Sequence, residues 1–281
     1  MSSEETSTQE TQEEQVTTYQ RETEYEPTLS LRGCWVVTQN GTVSSLGDAP
    51  HLGSFSESEL DLNARSIASA LGINGYWLLA QNGSVYSYGD VRSYVLQSDT
   101  PLENAVDIAA TPSGDGYIVV NKMGQIKTYG SAEYLGSGLD FELNSEVVAI
   151  DARQEGYWIL TESGRVLNFG RAEFLGSGSE FLEEGDKFVD IIAHPSGEGY
   201  WLITAKGKVV SFGLAQLYGS VDPEELQSPV QAGVSTPQGD GYWLICQSGR
   251  LYPFGTASAF ETASVNIAQG DCALGIAVAY F

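Results

Sequence analysis

Apolar residues in this chain occur in short runs of strand length, not at helical spacing. The runs GYWLL, SVYSYG and AVDIAA combine β-branched and aromatic residues over five or six positions, a composition that favours β-strands. Groups such as Gln81-Asn82-Gly83 and Pro112-Ser113-Gly114-Asp115 separate the runs. Glycine in such groups supplies the positive φ of a tight turn. The pattern predicts an all-β chain.

The runs belong to a sixfold repeat. Six units start at a glycine, with spacings of 42, 41, 40, 43 and 42 residues: Gly33, Gly75, Gly116, Gly156, Gly199 and Gly241. A second glycine follows eight residues later in every unit: Gly41, Gly83, Gly124, Gly164, Gly207 and Gly249. Because the period is nearly constant, each unit is predicted to be one structural module.

Each unit is predicted to hold four antiparallel strands, since it contains an inner apolar run, the GYW run, a G-x-V-x-x-[FY]-G run and a short run such as Ala132-Glu133-Tyr134-Leu135. Four strands in roughly 40–45 residues is the size of a propeller blade. Residues 31–281 are therefore expected to form an all-β, six-bladed β-propeller. The C-terminal run Ala273–Ala279 resembles the inner run Val106–Ala110, so it is predicted to pair in the first blade and close the ring.

The first 30 residues differ from the repeats. They hold eight Glu and one Arg among Thr, Ser and Gln, with little apolar surface to bury. Such a composition predicts a disordered acidic tail over residues 1–30. Its few anchoring side chains are Tyr19, Tyr25, Pro27 and Leu29. The tail either solubilises the chain or docks on an assembly partner, such as a virion or injection particle.

The net charge of −24 excludes some partners. About −7 belongs to the tail and −17 to the repeats, a field that repels nucleic-acid phosphates and anionic membranes. No nucleic-acid partner is expected. The acidity is compatible with solubility demands, a high-salt habitat or a basic partner. The chain shows neither a secretory signal nor an apolar run of about 18 residues, so we expect no membrane insertion. Localisation stays open, with an extracellular particle as one option.

The segment Gly156–Gly176, GYWILTESGRVLNFGRAEFLG, and its counterparts resemble the GYWLV-type repeats of bacterial cell-surface and secreted proteins. Those repeats are usually joined to other modules. The pattern is also similar, more loosely, to the regulator of chromosome condensation repeat, which forms seven longer blades. These resemblances imply a propeller and supply no catalytic residue and no cofactor.

Five tryptophans occupy the same repeat position: Trp35, Trp77, Trp158, Trp201 and Trp243. They could line sugar-binding pockets, or they could pack between blades. Packing is favoured because each Trp is predicted to lie mid-strand beside a residue that points the opposite way. Ile118 at the sixth position also breaks a strict sixfold set of sites.

Two sets of polar side chains are candidates for cation sites. One precedes the GY pair and comprises Asn74, Asp115, Glu155, Glu198 and Asp240. A hairpin turn explains these residues better, because a Ca²⁺ site needs several converging oxygen ligands. The other set, Asp107, Asp151 and Asp190, lies on predicted inner strands and should line the axial channel, where it could bind a cation or order water. No metal site or cofactor is predicted from either set.

The remaining reactive side chains give little sign of catalysis. His51 and His194 are the only histidines and belong to different units, and no nucleophile or phosphate-loop motif is present. Cys34, Cys246 and Cys272 are best explained as buried thiols. Cys34 and Cys272 would share the first blade if the ring closes as predicted, which leaves a disulfide between them open.

The repeats differ most in four irregular segments: Ser54–Asn63, Gln97–Asn104, Gly136–Glu146 and Gly176–Lys187. Variable loops on a constant scaffold commonly carry recognition. The sequence therefore predicts a non-catalytic binding or structural module with a protein or glycan partner. The alternative is a propeller hydrolase or lyase acting on a polysaccharide or glycan. No catalytic, ligand-binding or metal residue is assigned.

Overall fold

A computed structural model describes residues 29–58, 62–95, 100–261 and 263–281. The predicted tail, apart from Leu29 and Ser30, lies outside these residues. Within the described ranges, eighteen strands form six sheets of three antiparallel strands each. Short 3₁₀ turns occur at Phe55–Glu57, Gly138–Asp140 and Ser179–Phe181.

The six sheets, which we call blades 1 to 6, follow the repeat. Blade 1 contains β18 (Ala273–Tyr280), β1 (Leu31–Thr38) and β2 (Val43–Gly47); blade 2 contains β3 (Ala64–Ser69), β4 (Gly75–Ala80) and β5 (Val85–Gly89); blade 3 contains β6 (Ala105–Ala110), β7 (Gly116–Asn121) and β8 (Ile126–Gly130). Blade 4 contains β9 (Val147–Arg153), β10 (Gly156–Thr161) and β11 (Val166–Gly170); blade 5 contains β12 (Phe188–Ala193), β13 (Gly199–Thr204) and β14 (Val209–Gly213); blade 6 contains β15 (Val230–Ser235), β16 (Gly241–Cys246) and β17 (Leu251–Gly255).

The blades form a closed ring. Their inner strands contact one another in the cyclic order β18, β3, β6, β9, β12 and β15, and β15 contacts β18 again. In blade 1 the last strand pairs with the first, with Trp35 opposite Ala277. Ser30 and Phe281 exchange two backbone hydrogen bonds of 3.2 Å. The predicted closure by the C-terminal strand is confirmed.

The prediction of four strands per blade is wrong, because the outermost run does not pair as a strand. In blade 3 this run, residues 132–135, lies between Gly130 at φ 65° and Gly136 at φ 135°. Two glycines with positive φ turn the backbone away from an extended ladder with β8. The outer runs are held mainly by side chains from the middle strands.

Tryptophan and tyrosine side chains hold the outer runs. The Trp indole Nε1 donates a hydrogen bond of 2.7–2.8 Å to the carbonyl fifteen residues later, at Pro50, Arg92, Glu173, Gln216 and Ser258. The Tyr hydroxyl of the following blade donates to a glycine carbonyl at the end of the run, at Gly53, Gly136, Gly176 and Gly219. The runs of blades 1, 4 and 5 have both bonds and are therefore tied to their own blade and to the next one, whereas the run of blade 3, where Ile118 replaces the Trp, is tied to blade 4 through Tyr157.

The core consists of six apolar clusters, one between each pair of neighbouring blades. Side chains alternate along the middle strands: Tyr157 and Ile159 pack towards blade 3, whereas Trp158 and Leu160 pack towards blade 5. All six middle-strand segments are buried on both faces, apart from the first residues of β1. Burial on two faces explains why these runs are continuously apolar.

The three cysteines are free thiols. Cys34 lies opposite Val278 inside blade 1, and burial raises the pKa of its thiol. Cys272 precedes β18, and its Sγ is 3.3 Å from Gln39 Oε1. The two residues share blade 1 but do not form a disulfide, because they lie at different levels of the sheet.

Candidate functional site

The inner strands surround an axial cavity of about 440 Å³. The sequence predicted that Asp107, Asp151 and Asp190 would line this channel, and all three do. They lie on β6, β9 and β12, the inner strands of three consecutive blades. Elsewhere the wall of the cavity is made mostly of small and aliphatic side chains such as Ala109 and Ile191.

Each axial carboxylate links its own blade to the next. Oδ2 of Asp107 accepts a hydrogen bond of 2.8 Å from the Ile150 N–H, and its Oδ1 accepts from the Ile108 N–H and from the Ser66 hydroxyl. The other two carboxylates repeat this arrangement: Asp151 accepts from Ala152 N and Ala193 N, and Asp190 accepts from Ile191 N and Gly233 N. These bonds satisfy backbone groups that the inner strands would otherwise leave unpaired at the junctions.

The three carboxylates lie close enough to affect one another electrostatically. Burial is the main cause that raises the pKa of Asp107, Asp151 and Asp190, and mutual repulsion adds to the effect at Asp107 and Asp190. Arg153 offsets part of this at Asp151, with Nη1 2.7 Å from Oδ1. Since both oxygens of every carboxylate accept hydrogen bonds from the protein, the geometry supports a structural role that joins blades 3 to 6.

Stability should therefore depend on pH through Asp107. Burial raises its pKa from 3.8 to about 6, so the folded protein binds this proton more tightly than the unfolded chain. Stability is then gained as pH falls through 6 and lost as pH rises through it. Lowering the pH from 7 to 5 should add about 1 kcal/mol to the free energy of unfolding from this residue.

Urea titrations of the wild-type protein and the Asp107→Asn variant at several pH values measure this effect. The variant should show a shallower rise in the free energy of unfolding between pH 7 and pH 5, whatever its absolute stability. Asp151, Asp190 and Arg153 lie nearby and remain in both proteins. The other charged residues that line the cavity also remain, namely Arg65, Lys122, Glu146, Glu162 and Lys187. Parallel pH profiles would show that Asp107 titrates in its ordinary range.

The residues before each GY pair take part in hairpins, as the turn interpretation predicted. Their backbone carbonyls accept a hydrogen bond from the residue after the third strand, at Asn74, Asp115, Glu155, Glu198 and Asp240. The Asp240 carboxylate also accepts hydrogen bonds from Thr236 and Thr256, which lower its pKa. Among the residues that the structure describes, no three His, Cys, Asp or Glu side chains converge as they would around a metal ion.

The two histidines are far apart in the ring. His51 forms an exposed pair with Glu57 in blade 1, with 2.8 Å between Nε2 and Oε1. Nδ1 of His194 lies 2.7 Å from the Ser196 hydroxyl in blade 5. Ser196 Oγ also accepts from the Glu198 N–H, so this pair stabilises the turn between β12 and β13. Burial lowers the pKa of His194.

The five tryptophans are fully buried, so none of them presents a ring face to a sugar. Among the large apolar side chains that do reach the surface, several lie in the outer runs and in the loops that follow them. Tyr134, Phe174 and Leu217 occupy one repeat position in blades 3, 4 and 5, and each is more than half exposed. The other blades carry His51, Ser93 and Ala259 at this position. The large apolar side chains at this position are thus confined to one side of the ring.

The loops that follow these runs extend the same surface. Phe141 lies edge-on to Phe169 of blade 4, and Phe181 lies edge-on to Phe212 of blade 5. Both loop residues are exposed. They belong to the segments Gly136–Glu146 and Gly176–Lys187, which the sequence singled out as variable. The other two variable segments, Ser54–Asn63 and Gln97–Asn104, lie partly outside the described residues.

We call the segments 133–142, 173–184 and 216–225 the rim of blades 3 to 5. The sequence predicts strands for the runs that contain Tyr134, Phe174 and Leu217, so it does not place these residues on a surface. A signal was available: blades 3 to 5 place a large apolar residue where blades 1, 2 and 6 have His, Ser and Ala.

Among the residues that the structure describes, no helix has the length and apolar character needed to cross a bilayer.

Comparison with known proteins identifies the fold class. No family model and no curated protein sequence matches the chain. A chain in the crystal structure of the nidogen/laminin complex is similar, with a TM-score of 0.59 and 11% sequence identity over 88% of this chain and 98% of that chain. At this identity the likeness establishes the fold alone, and the chain is a β-propeller.

Proposed function

We propose that this propeller is a non-catalytic protein-binding module and that the rim of blades 3 to 5 is its binding surface. The observation that carries the proposal is the repetition of a large, exposed apolar side chain at one position in three consecutive blades, Tyr134, Phe174 and Leu217. Exposed apolar residues that occur singly are ordinary on protein surfaces, whereas a repeated set on one side suggests an interaction site.

The rim side chains project from a backbone that is already fixed. In blade 4 the carbonyl before Phe174 accepts the Trp158 indole N–H at 2.7 Å, and the Gly176 carbonyl accepts the Tyr200 hydroxyl at 2.6 Å. Leu175 packs inwards between the two bonds. A partner would therefore meet a preorganised surface, which reduces the entropy lost on binding.

The structural comparison is compatible with this proposal. The similar chain comes from the crystal structure of a nidogen/laminin complex. Enzyme activity has less support, because the axial carboxylates and His194 are all engaged in bonds that hold the blades and turns. The resemblance to GYWLV-type repeats would suit a binding module at a bacterial surface.

Peptide selection tests the proposal. Random peptides displayed on phage are selected on the immobilised full-length protein, and the affinity of enriched peptides is measured by titration calorimetry. The variant Tyr134→Ser/Phe174→Ser/Leu217→Ser should weaken binding roughly 10-fold or more, because anchors of this kind dominate interfaces. Ser93 already occupies this position in blade 2, so serine is compatible with the fold.

The matched control is His51→Ser/Ala259→Ser, which changes the same position in blades 1 and 6 and should bind like the wild type. A glycan array with the same three proteins separates protein binding from glycan binding. The proposal fails if no peptide is enriched, or if the triple variant binds every enriched peptide as well as the wild type does.

The tether remains a separate proposal, since residues 1–28 lie outside the described residues. Deleting residues 2–28 tests it by assembly: a truncated protein that still joins its particle normally would rule out a tethering role.

A further inference from the structure

We infer that the partner of the rim of blades 3 to 5 is a basic protein segment that carries apolar residues among its Lys and Arg side chains. This inference rests on the proposed function and specifies the chemistry of the partner. It is carried by the coincidence of exposed apolar side chains and unbalanced negative charge on one surface.

The rim carries carboxylates without cations of its own. Its three segments hold ten acidic residues and no basic residue, and all ten are exposed: Glu133, Asp140, Glu142, Glu173, Glu180, Glu183, Glu184, Asp222, Glu224 and Glu225. Of these, only Glu183 forms an ion pair among the described residues, with Lys208 Nζ at 3.0 Å.

Basic side chains from the turns between the middle and third strands of blades 4 and 5 compensate only part of this charge. Arg165 donates to the Glu142 carbonyl and lies over the Phe141 ring. Lys206 donates to the Glu184 carbonyl and Lys208 to the Phe181 carbonyl. These three cations are committed to loop carbonyls, and they leave most of the rim carboxylates facing solvent.

Two features of the rim select the same kind of partner. Solubility alone would explain exposed carboxylates, but it would not place Tyr134, Phe174 and Leu217 among them, because exposed apolar groups lower solubility. Apolar anchors surrounded by charge are typical of interfaces in which burial supplies affinity and charge supplies orientation and association rate. Carboxylates around such anchors attract a cationic segment and repel nucleic acids and acidic proteins.

The same peptide selection tests the charge of the partner. Enriched peptides should carry a net positive charge together with aromatic or aliphatic residues, and their affinity should weaken as NaCl rises from about 50 mM to about 500 mM, as screening requires. The variant Glu133→Gln/Glu173→Gln/Glu180→Gln should weaken binding by roughly 10-fold at low salt and flatten the salt dependence.

A charge-matched control is Asp48→Asn/Asp90→Asn/Glu261→Gln, which removes three exposed carboxylates from blades 1, 2 and 6. It should leave both affinity and salt dependence close to those of the wild type. Equal effects of the two sets would mean that only the overall charge of the protein matters, which overturns the inference.

The two proposals fail in different ways. If the serine variant loses binding while enriched peptides are neutral or acidic, or while the glutamine variant binds normally, the rim is a binding surface but its partner is not basic. If the serine substitutions leave the affinity for the enriched peptides unchanged, the proposed function itself is wrong. Sedimentation of the wild type at increasing concentration adds one more outcome: a dimer broken by the serine variant would assign the rim to a second copy of this chain.

Discussion

Removing β18 should prevent the protein from folding. A chain that ends at Asp271 lacks the strand that pairs with β1 and that contacts β3 on one side and β15 on the other. Its loss would expose the apolar faces of blades 1, 2 and 6, including Val36 and Ile67, which are buried in the intact ring. A domain has a free energy of unfolding of only about 5–15 kcal/mol. The stabilisation lost with the apolar burial of a whole strand is larger than this.

Near-UV circular dichroism and binding of a hydrophobic dye measure this effect. The truncated chain should lose its aromatic signal and bind the dye, or collect in the insoluble fraction. The control is a circular permutant in which Phe281 is joined to Leu29 by a short linker and new termini are placed in the turn at Asn82. Because Ser30 and Phe281 are already hydrogen-bonded neighbours, this permutant should fold. A truncated chain with a wild-type melting curve would show that closure by β18 is dispensable.

Replacing Trp201 by alanine should be the most damaging of the point substitutions considered. The side chain is fully buried, packs against Tyr242 of blade 6 and donates its indole N–H to the Gln216 carbonyl at 2.7 Å. Truncating a buried Trp costs about 3–5 kcal/mol, and the loss of the hydrogen bond also frees the run that presents Leu217.

Urea denaturation gives the change in the free energy of unfolding, and hydrogen exchange reports the outer run. In Trp201→Ala, the increase in exchange rate over the wild type should be larger for the amides near Leu217 than for the amides of other blades. Trp201→Phe separates the two contributions, because it keeps most of the apolar volume and removes the indole donor, so a loss of about 1–2 kcal/mol is expected. Leu214→Ala is the surface control, since Leu214 is largely exposed and should change stability little. If Trp201→Ala lowered the free energy of unfolding by less than Trp201→Phe does, the packing role of Trp201 would be contradicted.

The two stability predictions and the binding surface are connected. Buried side chains also fix the outer runs, through a tyrosine hydroxyl in blade 3 and through an indole and a hydroxyl in blades 4 and 5, so these three blades present their rim side chains at defined places. Substitutions in the core are therefore expected to weaken partner binding indirectly, and a binding measurement on Trp201→Ala must be read against its stability. The serine variant avoids this problem because it changes only exposed side chains.

The carboxylates that line the axial channel could be predicted from the sequence, but the hydrogen bonds that they accept could not. The sequence placed Asp107, Asp151 and Asp190 on inner strands, because polar residues interrupt otherwise apolar runs there. It gave no sign that each carboxylate accepts a backbone N–H about 42 residues further along the chain, as Asp151 does from Ala193. Such a bond depends on the distance between neighbouring blades, which only the closed ring defines.

The repeat by itself determined the all-β fold, the number of blades, the two-sided burial of the GYW strands and the strand that closes the ring. These follow from local pattern, since periodicity fixes the module and apolar runs fix which faces are buried. The tertiary structure decided the rest. It replaced the fourth strand by a run held through indole or hydroxyl groups, because glycines such as Gly136 turn the chain and, in blades 1, 4 and 5, the partners of that run come from two different blades. It also brought Tyr134, Phe174 and Leu217 onto one side of the ring, an arrangement of residues about 40 positions apart that exists only when the blades are packed together.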